Sequence, residues 1–145
     1  MTIIAYKSGM MAADSNATSS GTIVGFSNKI ARNKKGDLAG ACGDAIYGHA
    51  FRQWFLKGEK GDPPDATDPG KPDSSSNGVI VRCNGVVERF EFKGKHVQEC
   101  PYFAMGSGRD TALGAMYAGA TAAQAVAAAI AHDIACGGAI VILRH

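Results

Sequence analysis

The order in which hydrophobic periodicity changes along the chain constrains its fold most. Residues 2–7 and 9–14 are short apolar runs separated by Ser8-Gly9, a hairpin signature with both strands largely buried. Residues 22–26, 29–32 and 37–42 continue the β pattern, broken by turns at Ser19-Ser20-Gly21 and Lys35-Gly36. After Gly43 the period lengthens. Ala45, Ile46, His49, Phe51, Trp54, Phe55 and Leu56 fit an amphipathic helix with Asp44 at its start. Residues 78–83 and 86–92 flank Asn84-Gly85, which predicts a hairpin closed by a type I′ turn. Two helices follow, over 109–118 and 121–135, the second opened by the capping box Thr121-Ala-Ala-Gln124, and 139–143 is a final strand. Strands, a helix, strands, two helices and a strand imply an α+β sandwich with two sheets between helical layers. An alternating parallel fold would require a different order.

Composition narrows the function classes. With 145 residues and 46% hydrophobic content, the chain suffices for one domain with a real core, expected to span 1–145. A formal charge of +2 provides no concentrated basic face for nucleic acid or a membrane surface. No apolar run is long enough to cross a bilayer, and the first residues lack a signal-peptide pattern, so a cytoplasmic protein is expected. Cys42, Cys83, Cys100 and Cys136 have no paired spacing, and neither they nor the four histidines suggest a metal site. Residues 57–77 lose all periodicity into Gly, Pro, Asp, Ser and Lys and read as a loop, either an irregular insertion or a replaced helix.

Thr2 follows the initiator methionine. Removal of Met1 would leave a hydroxyl and an α-amine on one residue, and an α-amine has an ordinary pKa of about 7.7–8.0. Such a residue can be nucleophile and base together. A buried ammonium nearby would favour the neutral amine and stabilise charge developing on the hydroxyl oxygen, and Lys29 is the candidate. A buried lysine needs a carboxylate, and Asp14 can supply it.

Several motifs resemble the proteasome β-subunit and HslV family of N-terminal-nucleophile threonine peptidases. They are Thr2-Ile-Ile-Ala-Tyr with Met11-Ala-Ala-Asp14-Ser15, Ser27-Asn28-Lys29-Ile30, Leu38-Ala-Gly-Ala-Cys-Gly-Asp44, Phe103-Ala-Met-Gly-Ser-Gly108 and Ala131-His-Asp-Ile-Ala-Cys-Gly-Gly138. They occur in the family's order over nearly the whole chain. The resemblance implies a four-layer αββα sandwich with a shortened first helical layer. It implies Thr2 as nucleophile, Lys29 assisting, Asp14 holding Lys29, and Ser107 and Asp133 positioning the amine. Gly40 would supply the oxyanion N–H, and Thr18 and Gly40 would pair with an extended peptide. Cys42 would line the specificity pocket and leave room for apolar substrate residues. The family also implies peptide or unfolded-protein substrates and self-association into a homo-oligomeric ring. In HslV it adds an ATPase unfoldase partner and a sodium-like cation at the backbone of 135–138, and no other cofactor is expected.

Three features depart from the family pattern. One short helix and the loop 57–77 stand where two long helices are usual, which leaves ring size and any ATPase partner open. Cys136 replaces a serine that supports the amine, and a thiol is the poorer donor. Asn16 replaces the family's frequent arginine after the Asp-Ser pair, a change expected to alter the substrate groove rather than the chemistry. Beside the peptidase stand two alternatives, an amidase acting on a small amide with the same centre and a non-catalytic assembly protein of the same fold.

Overall fold

The computed structural model describes residues 2–67 and 76–145. Strands β1 (Ile3–Lys7) and β2 (Met10–Ala13) form an antiparallel hairpin through Ser8 and Gly9, with φ of 50° and 77°. Strands β3 (Asn16–Ser19) and β4 (Thr22–Phe26) repeat that device through Ser20 and Gly21, with φ of 49° and 79°. Paired positive φ values are what a two-residue type I′ turn requires. Strands β5 (Ile30–Arg32), β6 (Leu38–Cys42), β7 (Asn77–Val81), β8 (Val87–Glu91) and β9 (Gly94–Gln98) form an antiparallel meander in chain order. Strands β10 (Tyr102–Gly106) and β11 (Val141–Arg144) complete a second sheet, ordered β10-β1-β2-β11.

Strand alternation builds the layers. Ile4, Tyr6, Met11 and Ala13 point toward the meander and meet Ile30, Leu38, Val79, Val81 and Val87 between the two sheets. The opposite face carries Ile3, Ala5 and Ala12, which pack on helices α2 (Arg109–Tyr117) and α3 (Ala122–His132). Ala112, Ala122, Ala125 and Ala129 are buried in that contact, and their small side chains let the helices sit close to the sheet. On the far side of the meander, Tyr47, Phe51 and Phe55 of α1 (Ala45–Leu56) cover Ala39, Ala41, Ile80 and Phe90. Among the described residues the result is an αββα sandwich with one helix in its first layer. Each fully buried Ile, Leu or Phe in it contributes about 1.5–3 kcal/mol.

Two helix starts form as their sequences dictate. Asp44 caps α1 by accepting from the N–H groups of Ile46 and Tyr47, and Thr121 with Gln124 makes the expected capping box on α3. Other expectations change. The helix expected over 121–135 ends at His132, with Asp133 as its C-cap in extended conformation. Strands β3, β9 and β10 were not evident in the periodicity. The Asn84-Gly85 hairpin exists, but Asn84 keeps a negative φ and only Gly85 is positive, at 86°. Arg82 and Val86 are instead the last paired residues, and Gly85 N–H donates to the Arg82 carbonyl at 2.8 Å. That geometry is a three-residue loop with a bulge. Cys83 is drawn out of the ladder because its N–H donates to Asp37 at 3.0 Å.

The loop expected over 57–77 is described to Thr67, and residues 68–75 lie outside the described residues. Its first half is pinned. Glu59 receives both guanidinium nitrogens of Arg82 at 2.7 Å, and the buried Ala66 donates its N–H to the Phe92 carbonyl at 3.1 Å. Among the described residues no helix is long and apolar enough to cross a membrane.

Candidate active site

Thr2 precedes β1 and is buried, 7% exposed, in the wall of a cleft between the end of β6, the start of α1 and the β3–β4 hairpin. The cleft volume is about 270 Å³. Asp14, just after β2, has no solvent exposure. One of its oxygens, Oδ1, accepts from Lys29 Nζ at 2.7 Å and from Ile3 N–H at 3.0 Å, and Oδ2 accepts from Gly137 N–H at 3.0 Å. Three donors, one of them cationic, replace the hydration that burial removed. Lys29 immediately precedes β5, is 5% exposed, and lines the cleft with Thr2. The expected pair is therefore present, and Asp14 also clamps the first peptide bond after Thr2 and the segment beyond α3.

The glycines of Met-Gly-Ser-Gly explain how β10 reaches the same place. Gly106 has φ of 101°, and a Cβ there would overlap the Thr2 carbonyl. A Cβ on Gly108 would lie 2.7 Å from Ala129 Cβ and 3.2 Å from Cys136 Sγ. Between these two close approaches, Ser107 donates its hydroxyl to the Thr2 carbonyl at 3.4 Å and lies 3.5 Å from Cys136 Sγ. Cys136 in turn donates to Asp133 Oδ2 at 3.4 Å. Ser107, Asp133 and Cys136 thus form one cluster beside Thr2. The Asp133 carboxyl is held below its usual range, first by the Ala135 N–H and then by the Ser107 hydroxyl, against a small opposing effect of burial. Burial pushes the Cys136 thiol up to about 11, so it stays protonated as a weak donor.

Thr18, beside a bulge in β3, and Cys42, at the end of β6, both line the cleft. Burial pushes the Cys42 thiol up to about 11. Gly40 is placed differently. It faces Ile30 on β5 and Val79 on β7, inside the meander. The next residue, Ala41, gives its N–H to the Lys29 carbonyl on the β5 side at 3.3 Å. Successive N–H groups alternate, so that of Gly40 is directed to β7 and is occupied while the ladder is intact. The backbone that reaches the cleft runs from Ala41 to Gly43. A Gly40 Cβ would approach Ile4 Cδ1 to 2.9 Å, so close packing of the two sheets also requires this glycine.

The segment over 135–138, where the resemblance implies a cation, is tied to the start of β3 by its backbone. The Gly137 carbonyl already accepts the N–H groups of Ser15 and Asn16, both at 3.0 Å. Among the described residues no group of three His, Cys, Asp or Glu side chains could hold a metal. The cleft also contains Asn16, which the sequence had connected with the substrate groove, and Ser27, His49 and Arg52, which sequence reasoning did not assign to it. The helical period of α1 gave the only signal for the last two, since it puts them on one face with Asp44 and Gly48.

No family model matches the chain, and no curated protein matches it. Solved structures do. BPH of Thiobacillus denitrificans in complex with epoxomicin is 20% identical with a TM-score of 0.66, covering 99% of this chain and 97% of that one. BPH in a structure described without epoxomicin gives 19% and 0.65, with coverage of 99% and 97%. Eukaryotic HslV from Trypanosoma brucei gives 17% and 0.64, with 99% of each chain covered. With the αββα layers in place and the likeness running the full length, the chain has the HslV-like fold.

Proposed function

We propose that the protein is a threonine-type peptidase in which Thr2, freed by removal of Met1, is nucleophile and base. The observation that carries this reading is the buried Lys29–Asp14 pair at 2.7 Å, whose lysine lines the same cleft as Thr2. Burying an ion pair rarely stabilises a fold more than apolar packing would, so a local electrostatic task is the better account of it. In the proposed reaction the Thr2 hydroxyl attacks the scissile carbonyl and its proton passes to the α-amine. The Lys29 ammonium stabilises the developing alkoxide. Collapse breaks the C–N bond, the α-ammonium protonates the leaving amine, and water hydrolyses the ester on Thr2. Asp14 orients Lys29, while Ser107 and Asp133, with Cys136, position the amine end of Thr2.

The role of oxyanion donor passes in this reading from Gly40 to the backbone beyond it, since Gly40 N–H is directed into the ladder. An extended peptide would lie along Thr18 and the end of β6 as an added strand. A homo-oligomeric ring, an unfolded-protein substrate and a cytoplasmic location belong to the same proposal. Support for self-association comes from the β3–β4 hairpin, where Val24 and Phe26 are 65% and 74% exposed. Peptide cleavage that disappears in Thr2→Ala, with the oligomer unchanged, is the expected result. If the wild type reacts at Thr2 with an acylating agent but cleaves no peptide, the small-amide reading replaces this one. A wild type that does neither is an assembly protein of the same fold.

A further inference from the structure

We infer that Arg52 makes this cleft selective for substrates with an acidic side chain beside the scissile bond, a reading that rests on the proposed peptidase function. Two charged side chains besides Arg52 line the cleft, and each is already engaged, one in an ion pair and one as a cap. Lys29 is bonded to Asp14, and Asp44 accepts the Ile46 and Tyr47 N–H groups at the start of α1. His49 is the third basic group on this wall, three residues before Arg52 on the same helix face. Arg52 is half-buried and makes no hydrogen bond or ion pair among the described residues. Burial without any offsetting anion lowers its pKa. A guanidinium in that state gains most from a carboxylate, which it can hold through two parallel N–H···O bonds.

The helix makes room for this group at some cost. Gly48 is a buried glycine in the interior of α1, a position where alanine would favour the helix. A Cβ there would sit 3.3 Å from Arg52 Nη1 and 3.8 Å from Ala41 Cβ. Gly48 therefore lets the guanidinium lie against the helix, within a cleft of about 270 Å³ that it shares with Thr2 and Cys42. The expectation from Cys42 alone, a preference for apolar residues, changes accordingly. The thiol forms part of the wall, but the unneutralised charge of Arg52 decides selectivity.

The test uses the full chain as Thr2→Ala, which cannot cleave, and short capped peptides that differ at one residue, Glu, Gln or Lys. Calorimetric titration is expected to show the Glu peptide binding about tenfold or more tightly than its Gln isostere, the effect of one charged contact. Adding Arg52→Gln should abolish the difference, and Arg52→Glu should transfer the preference to Lys. Equal binding of Glu and Gln peptides to the Thr2→Ala chain, or no binding of either, overturns the inference without needing any change at Arg52. Cleavage by the wild type is scored separately. Charge-selective binding with no cleavage keeps this inference and removes the peptidase reading, whereas cleavage without an Arg52-dependent preference does the reverse.

Discussion

Asp14 is fully enclosed, so each of its bonds must come from protein, and those bonds join three parts of the chain. Asp14→Ala removes the buried carboxylate to which the Lys29 ammonium and two backbone N–H groups donate. We expect a loss of roughly 3–5 kcal/mol of stability, measured by urea unfolding. A loss below 1 kcal/mol would mean that water replaces the carboxylate freely. The thiols give an independent check on the environment of Thr2. Cys42 and Cys136, both with pKa values near 11, are roughly one part in a thousand thiolate at pH 8. Alkylation followed by peptide mass mapping should therefore modify exposed Cys83 and spare those two. The charged pair and Ser107 were legible in the sequence because each sits in a short motif with its own backbone demands. Arg52 was not, because a basic residue on an amphipathic helix looks the same whether it faces solvent or a cleft. Gly40 misled for a related reason: a glycine in a strand end signals close approach, but the approaching group here is Ile4 of the other sheet.

At the scale of elements, apolar alternation and turn residues were enough to locate β1, β2, β4 to β8 and α1, since both faces of most of those strands are buried. Strand β9 escaped because it is an edge strand whose residues are mostly exposed and include Lys95 and His96, so no alternation marks it. Asn84-Gly85 showed that turn type depends on tertiary partners as well as on the dipeptide: Asp37 captures the Cys83 N–H and shortens the ladder by a residue pair. The end of β10 is where an element most directly shapes the site. Gly106→Ala would force a Cβ into the Thr2 carbonyl at a φ that L-residues disfavour. It should lower the melting temperature and abolish reaction at Thr2. Thr121→Ala, by contrast, removes only the cap of α3 and should cost about 1 kcal/mol with reactivity unchanged. If both variants lose activity in proportion to stability alone, Gly106 has no specific role in placing Thr2.

Across the whole molecule, carboxylates join the layers and set the response to acid. Burial alone would raise the pKa of Asp37, but the Cys83 N–H, the Asn33 amide and the Arg82 guanidinium outweigh it and lower it. Asp133 is lowered by the Ala135 N–H and the Ser107 hydroxyl. A carboxyl with a depressed folded pKa contributes its stability fully above the unfolded value of about 3.9, and loses it as pH falls through the folded value. Unfolding free energy should therefore hold down to about pH 5 for these two groups and fall below about pH 4. Asp37→Asn should flatten that acid limb, and an unchanged limb would contradict the assignment. Self-association is argued at this scale too. Phe26→Ser on the exposed hairpin should reduce the mass seen by light scattering, and an unchanged mass would remove this hairpin from the contact. The central claim concerns Thr2, and intact mass after exposure to a peptidyl electrophile tests it most directly. The account predicts a chain that begins at Thr2 and carries one adduct on that residue, absent when Lys29 is changed to alanine. A chain that keeps Met1 quantitatively, or that stays unmodified at Thr2, would contradict it.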